Sequence, residues 1–200
     1  MKTLTRWMFS IVIFGVTMLS SPQQRTAPTP AGDWPMYNRD LAASRYSPLT
    51  QINTENVGRL VRAWNYKLPN KPGGITGGWE YTPIVINGMM YVVTNNAVLA
   101  LEAETGKEIW THEMRDGQPS RRGVAYWPSA AGVLPRIFFT SGKRLIALNA
   151  YTGEAPLGFG RNGEIEMAVS YESAPAVYLN LLITGSNGKT VSESVELRVN

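Results

Sequence analysis

The sequence predicts an all-β fold, a β-propeller of four-stranded antiparallel blades, and three observations carry that prediction. The first is a repeat. "VLALEAETGKEIW" at 98–110 returns as "LIALNAYTGEAPL" at 145–157, which sets Leu99, Leu101, Thr105 and Gly106 47 residues before Ile146, Leu148, Thr152 and Gly153. The second is punctuation. From residue 81 the apolar runs "YTPIVI", "MMYVVT", "AVLAL" and "EIWTH" are separated by Asn87-Gly88, Asn95-Asn96 and a Thr-Gly-Lys turn, and Asn-Gly between apolar runs is a strong hairpin signal. The third is spacing. Pro83, Pro128 and Pro175 fall 45 and 47 residues apart, and four short strands in about 46 residues make one propeller blade.

The elements follow in order. Lys2 and Arg6 precede an apolar run from Trp7 to Leu19. A charged start and an apolar core too short to span a bilayer read as a secretory signal over 1–21, cleaved or kept as an inner-membrane anchor. "SPQQRTAPTPAG" continues as a disordered leader over 22–32. In the lead-in at 33–78, Asn53 and Thr54 can cap a short helical turn through "ENVGRL", and "LVRAWNYK" reads as a strand. The blades are expected at 79–122, 123–170 and, in part, 171–200. In each repeat the glycine of the Thr-Gly turn supplies a positive φ and the threonine a local hydrogen bond. Leu99/Leu101 and Ile146/Leu148 are expected to face neighbouring blades, and Trp110 to pack over the join. A repeat of another solenoid type is the alternative. Fewer than three blades cannot close a ring, so the sequence reads as the front portion of a larger propeller or a truncated one.

Composition excludes several classes. The chain has no cysteine, which rules out disulfides, thiolate metal sites and a Cys-x-x-Cys-His haem attachment in these residues. The net charge is +4, of which Lys2 and Arg6 supply two, and the basic run is no longer than Ser120-Arg121-Arg122. No nucleic-acid partner is expected from that distribution.

"DWPMYNRDLAASRYSPLTQINTENVGRLVRAWNYKLP" at 33–69, the Thr-Gly-Lys…Trp repeat and "SRRGVAYWP" at 120–128 together resemble the pyrroloquinoline-quinone (PQQ)-dependent alcohol and glucose dehydrogenases, from about residue 33 onward. The resemblance implies an eight-bladed propeller, with the quinone in the central funnel and the strand holding Trp64 completing the last blade. PQQ is planar and carries three carboxylates, which call for cationic forks and stacking surfaces. A divalent cation, expected to be Ca²⁺, would polarise its reactive carbonyl.

Carried over residue by residue, the resemblance assigns Arg122 to the quinone's oxygens and Glu80 of "GWEYTP" to a cofactor hydrogen bond. Glu172 of "YESAP" holds the equivalent place one blade later, where many members have Thr. Asn187 and Gly188 of "GSNGKT" fit contact positions. From the residues alone, Arg122 reads equally as a solvated loop arginine and Glu80 as an exposed acid or a partner for Lys71. The metal-ligand slot falls on Thr190 beside Lys189, a poorer Ca²⁺ site than a carboxylate. The vicinal cysteines of methanol-dehydrogenase-like members would fall near Asp116-Gly117 and are absent. His112 is expected to pack or lie at the surface. No catalytic residue is expected here, because the base comes from later blades.

The implied activity is oxidation of an alcohol or sugar by hydride transfer to bound PQQ in an exported, periplasmic or secreted enzyme. A cytochrome or membrane quinone would accept the electrons. The alternative is a non-catalytic propeller serving as a scaffold of the cell envelope.

Overall fold

The computed structural model describes residues 29–68, 81–128, 132–184 and 194–196. The signal reading for 1–21 and most of the leader lie outside the described residues.

Three antiparallel sheets follow one another along the chain. β1 (Ile84–Ile86), β2 (Met89–Val93), β3 (Ala97–Glu102) and β4 (Glu108–Glu113) form the first, in sequence order. β5 (Ala125–Trp127), β6 (Arg136–Ser141), β7 (Arg144–Asn149) and β8 (Glu164–Glu166) form the second, in the same order. β9 (Ala176–Tyr178), β10 (Leu181–Ile183) and β11 (Ser194–Glu196) form a three-stranded third. This up-and-down order is that of propeller blades. At Asn87-Gly88 both residues take positive φ, 51° and 77°, so the hairpin there has the mirror-image turn that strand twist favours.

Alternation along the strands builds two apolar layers. Val98 and Ala100 of the first sheet meet Ile146 and Leu148 of the second, together with Ile137 and Phe139. Phe138, Leu145 and Ala147 point the other way, onto Leu182, Tyr171 and Phe159. Successive side chains on a strand face opposite sides, which gives the second sheet a partner on both faces. Ile146 and Leu148 thus face the adjacent blade as expected, while Leu99 and Leu101 occupy the face of β3 turned away from the second sheet. Each fully buried Leu, Ile or Phe stabilises by about 1.5–3 kcal/mol, so these contacts hold the sheets side by side.

The outer strand of the first sheet and the lead-in each lock onto the unit that follows. Trp110 of β4 donates Nε1–H to the Ala150 carbonyl at 2.9 Å, and Trp64 donates to the Ala103 carbonyl at 3.0 Å. The two indoles lie over Gly153 and Gly106, where a Cβ would stand 2.5 Å from a ring carbon. Both glycines have φ of +71°.

Three details differ from the sequence reading. Residues 60–68 form no strand. Their place beside the first sheet is held by side chains, through Trp64 and a hydrogen bond from the Tyr66 hydroxyl to the Glu108 carboxylate, because a strand needs a ladder partner that no described residue supplies. The three prolines are not equivalent. Pro83 and Pro175 immediately precede β1 and β9, whereas Pro128 immediately follows β5. Only Asn87-Gly88 and Leu179-Asn180 separate the first hairpins of the outer sheets, whereas residues 128–135 separate β5 from β6. That longer connection offsets β5 and makes the regular spacing fortuitous. Finally, the helical turn shrinks to a 3₁₀ turn at Val57–Arg59; the Asn53 side chain still accepts from the Glu55 and Asn56 amides.

The lead-in contributes a contact that no sequence signal announced. Trp34 exchanges two backbone hydrogen bonds with Val85, at 2.7 and 3.0 Å, on the free edge of β1. Asp33 caps this join by accepting from the Asn87 amide.

Candidate cofactor site

The chain enters β1, β5 and β9, the first strands of the three sheets, through short segments that meet at one rim. Gly123, at φ +93°, brings the loop before β5 against the segment before β1; a Cβ there would lie 2.8 Å from the Thr82 carbonyl oxygen. Only glycine combines that backbone conformation with so close an approach. On the other side, the Ser120 hydroxyl donates to the Glu172 carbonyl at 2.7 Å and accepts from the Arg122 amide in a longer contact of 3.4 Å. Ser120 also donates its amide to the Thr140 carbonyl at 2.7 Å. The Thr140 hydroxyl donates to the Ser173 carbonyl at 3.1 Å.

Arg122 and Glu172 are therefore brought to the same rim through their backbones. Both side chains are exposed, and the Arg122 guanidinium makes no ion pair among the described residues. Arg121 is exposed beside it, and its charge opposes the upward shift that burial gives the Tyr81 hydroxyl. Glu80 lies outside the described residues; the nearest described position of its segment, Tyr81-Thr82, is the one packed on Gly123. Asn187, Gly188, Lys189 and Thr190 lie outside them as well.

A solvent-facing guanidinium without an ion pair among the described residues, on a loop fixed from both sides, suits a carboxylate-bearing planar ligand on one flank. Among the described residues no group of three or more His, Cys, Asp or Glu could hold a metal ion. His112 is half-buried on β4, with Nδ1 3.1 Å from the Gly153 carbonyl, so that nitrogen carries the proton. Burial holds its pKa below the ordinary value, and its role is packing beside the Trp110 dock. At the position expected for vicinal cysteines, Asp116 is clamped by Arg144 through its carboxylate and its carbonyl, both at 2.8 Å.

Sequence reasoning missed Ser120 and Thr140. The available signal was a small hydroxyl residue two positions before Arg122, but nothing in the sequence told which carbonyl it meets.

Four-stranded antiparallel sheets packed side by side and joined by indole docks are the blades of a quinoprotein-type propeller. The chain belongs to that family: residues 34–195 match the model described as PQQ, glucose/ethanol/alcohol dehydrogenase, beta-propeller domain. It is 36% identical over 179 residues to the dehydrogenase subunit of the quinone-linked alcohol dehydrogenase of Gluconobacter oxydans, covering 78% of this chain and 21% of that protein. It is 33% identical over 187 residues to subunit 1 of the cytochrome c methanol dehydrogenase of Paracoccus denitrificans, covering 82% and 29%. Among solved structures it is similar to the quinohemoprotein alcohol dehydrogenase of Comamonas testosteroni, with a TM-score of 0.57 at 32% identity over 78% of this chain and 23% of that one. A europium-containing methanol dehydrogenase gives a TM-score of 0.62 at 27% identity, over 84% and 30%. The chain thus spans between a fifth and a third of the length of these relatives.

Proposed function

We propose that the chain is the N-terminal part of an exported quinoprotein dehydrogenase that oxidises an alcohol or a sugar, and that its inner rim grips one flank of PQQ. The observation that carries this reading is Arg122: an exposed guanidinium with no ion pair among the described residues, on the loop entering β5 that is held to the segments before β1 and β9. When bound, PQQ supplies an electrophilic carbonyl able to accept hydride. This chain's residues bind and orient. Arg122 forks onto cofactor oxygens, and Glu80, Glu172, Asn187 and Gly188 complete the contacts in this reading. Ca²⁺ belongs to this reading as the cation that would polarise the quinone's carbonyl. Export is supported by Lys2 and Arg6 ahead of the apolar run at 7–19. The electron acceptor is a cytochrome or a membrane quinone, in keeping with the acceptors in the names of the relatives.

The test is titration of the full chain with PQQ, followed by tryptophan quenching and cofactor absorbance. Saturable binding is expected, weakened at least ~10-fold by Arg122→Ala, since a charge-assisted hydrogen bond contributes about 1.5–3 kcal/mol. Arg121→Ala should change little. No saturable binding, or equal affinity in Arg122→Ala, overturns the proposal and favours the scaffold reading.

A further inference from the structure

Two buried hydroxyls lie just behind the rim, on the second-sheet side. Ser120 and Thr140 are 8% and 0% exposed. They donate to consecutive carbonyls, those of Glu172 and Ser173, at 2.7 and 3.1 Å. The two are themselves joined, because the Ser120 amide donates to the Thr140 carbonyl. Ser120 further accepts from the Arg122 amide. The loop entering β5 and the loop entering β9 belong to different sheets, yet this pair of hydroxyls ties them into one unit.

We infer that Ser120 and Thr140 are positioning residues that clasp the Arg122 loop to the Glu172 loop, so that the rim is set for an anionic planar cofactor before it arrives. This rests on the PQQ reading of the same rim. The physical reason is entropy. Fixing a residue's backbone costs conformational entropy, and Gly123 beside Arg122 is the residue type with most freedom to lose. A loop left loose would meet that cost on binding, whereas a loop held by buried hydrogen bonds has met it on folding. Neither hydroxyl needs to touch the cofactor.

The experiment uses the full chain with PQQ as the probe and three variants: Ser120→Ala, Thr140→Val and Ser120→Thr. Amide hydrogen exchange is read at 120–123 and 171–175, alongside PQQ affinity. Ser120→Ala should raise exchange in both loops together and weaken PQQ binding about 5- to 10-fold, the effect of one lost buried hydrogen bond. Ser120→Thr, which keeps the hydroxyl, should restore affinity to within ~2-fold. Should Ser120→Ala not fold, Thr140→Val removes only the hydroxyl bonded to Ser173 and carries the same comparison. Wild-type affinity in Ser120→Ala, no rescue by Ser120→Thr, or faster exchange at 120–123 with 171–175 still protected overturns the clasp. Failure of the unmodified chain to bind PQQ sinks the cofactor reading instead. The clasp is then judged by exchange alone, where joint loosening upholds it and independent loosening overturns it.

Discussion

Trp110 lies on Gly153 so closely that any side chain at 153 would occupy the indole's place, with the Nε1–H bonded to the Ala150 carbonyl three residues earlier. Trp64 stands in the same relation to Gly106 and Ala103. The repeated Thr-Gly turn thus serves as the seat for an indole from the preceding unit. Sequence repeat, left-handed turn and packing between units are one device.

Substituting that seat separates backbone strain from the dock. Gly153→Ala places a Cβ at φ +71° and 2.5 Å from the ring, so it has to displace Trp110 and loosen a buried hydrogen bond. The expected cost is about 2–4 kcal/mol, combining left-handed strain with the lost contact. Gly158→Ala, at φ +76° with nothing within 4 Å, should cost only about 1 kcal/mol. Chemical denaturation of both variants measures the difference. Equal losses would show that the indole moves away freely.

Leu179 is a place where the sequence works against its own turn. It occupies the two-residue connection between β9 and β10 at φ +51° and is 43% exposed, while its carbonyl accepts from the Trp127 indole at 3.0 Å. A leucine gains little there and bears left-handed strain, whereas asparagine tolerates that region. Leu179→Asn should stabilise by about 0.5–1 kcal/mol and Leu179→Val, β-branched, should destabilise. Thermal melts of the two variants check the sign.

Much of the architecture was legible because its signals are local. Asn87-Gly88 dictates a hairpin through its own φ preferences, and Thr105-Gly106 and Thr152-Gly153 announce the same turn twice. What depended on remote partners was not. "LVRAWNYK" alternates like a strand, yet it has no ladder among the described residues. Pro128 matched a spacing without sharing a role, because residues 128–135 lengthen one hairpin. The pairing of Trp34 with Val85 and the bonds of Ser120 and Thr140 to residues 172 and 173 join segments at least 33 residues apart, which no short motif encodes. At the site, Arg122 stood out through its motif, and the hydroxyls behind it did not.

Tyr66 offers a spectroscopic view of how the lead-in is fastened. Its hydroxyl donates to Glu108 of β4, and its pKa is pushed up to about 12 from 10.0, first by burial and then by the Glu108 carboxylate. The folded state therefore holds this proton more tightly than the unfolded chain. The contribution is fully present below about pH 10 and is lost as pH rises through about 12. Ultraviolet titration of the chain against Tyr66→Phe isolates this one phenol. In Glu108→Gln the amide still accepts the hydrogen bond but no longer repels phenolate. The midpoint should fall, yet stay above 10.0, because burial is the larger cause. A midpoint at 10.0 in the unmodified chain would mean that Tyr66 does not rest on β4, and Trp64 and Asp33 would then be left to fasten the lead-in to the first sheet through their side chains.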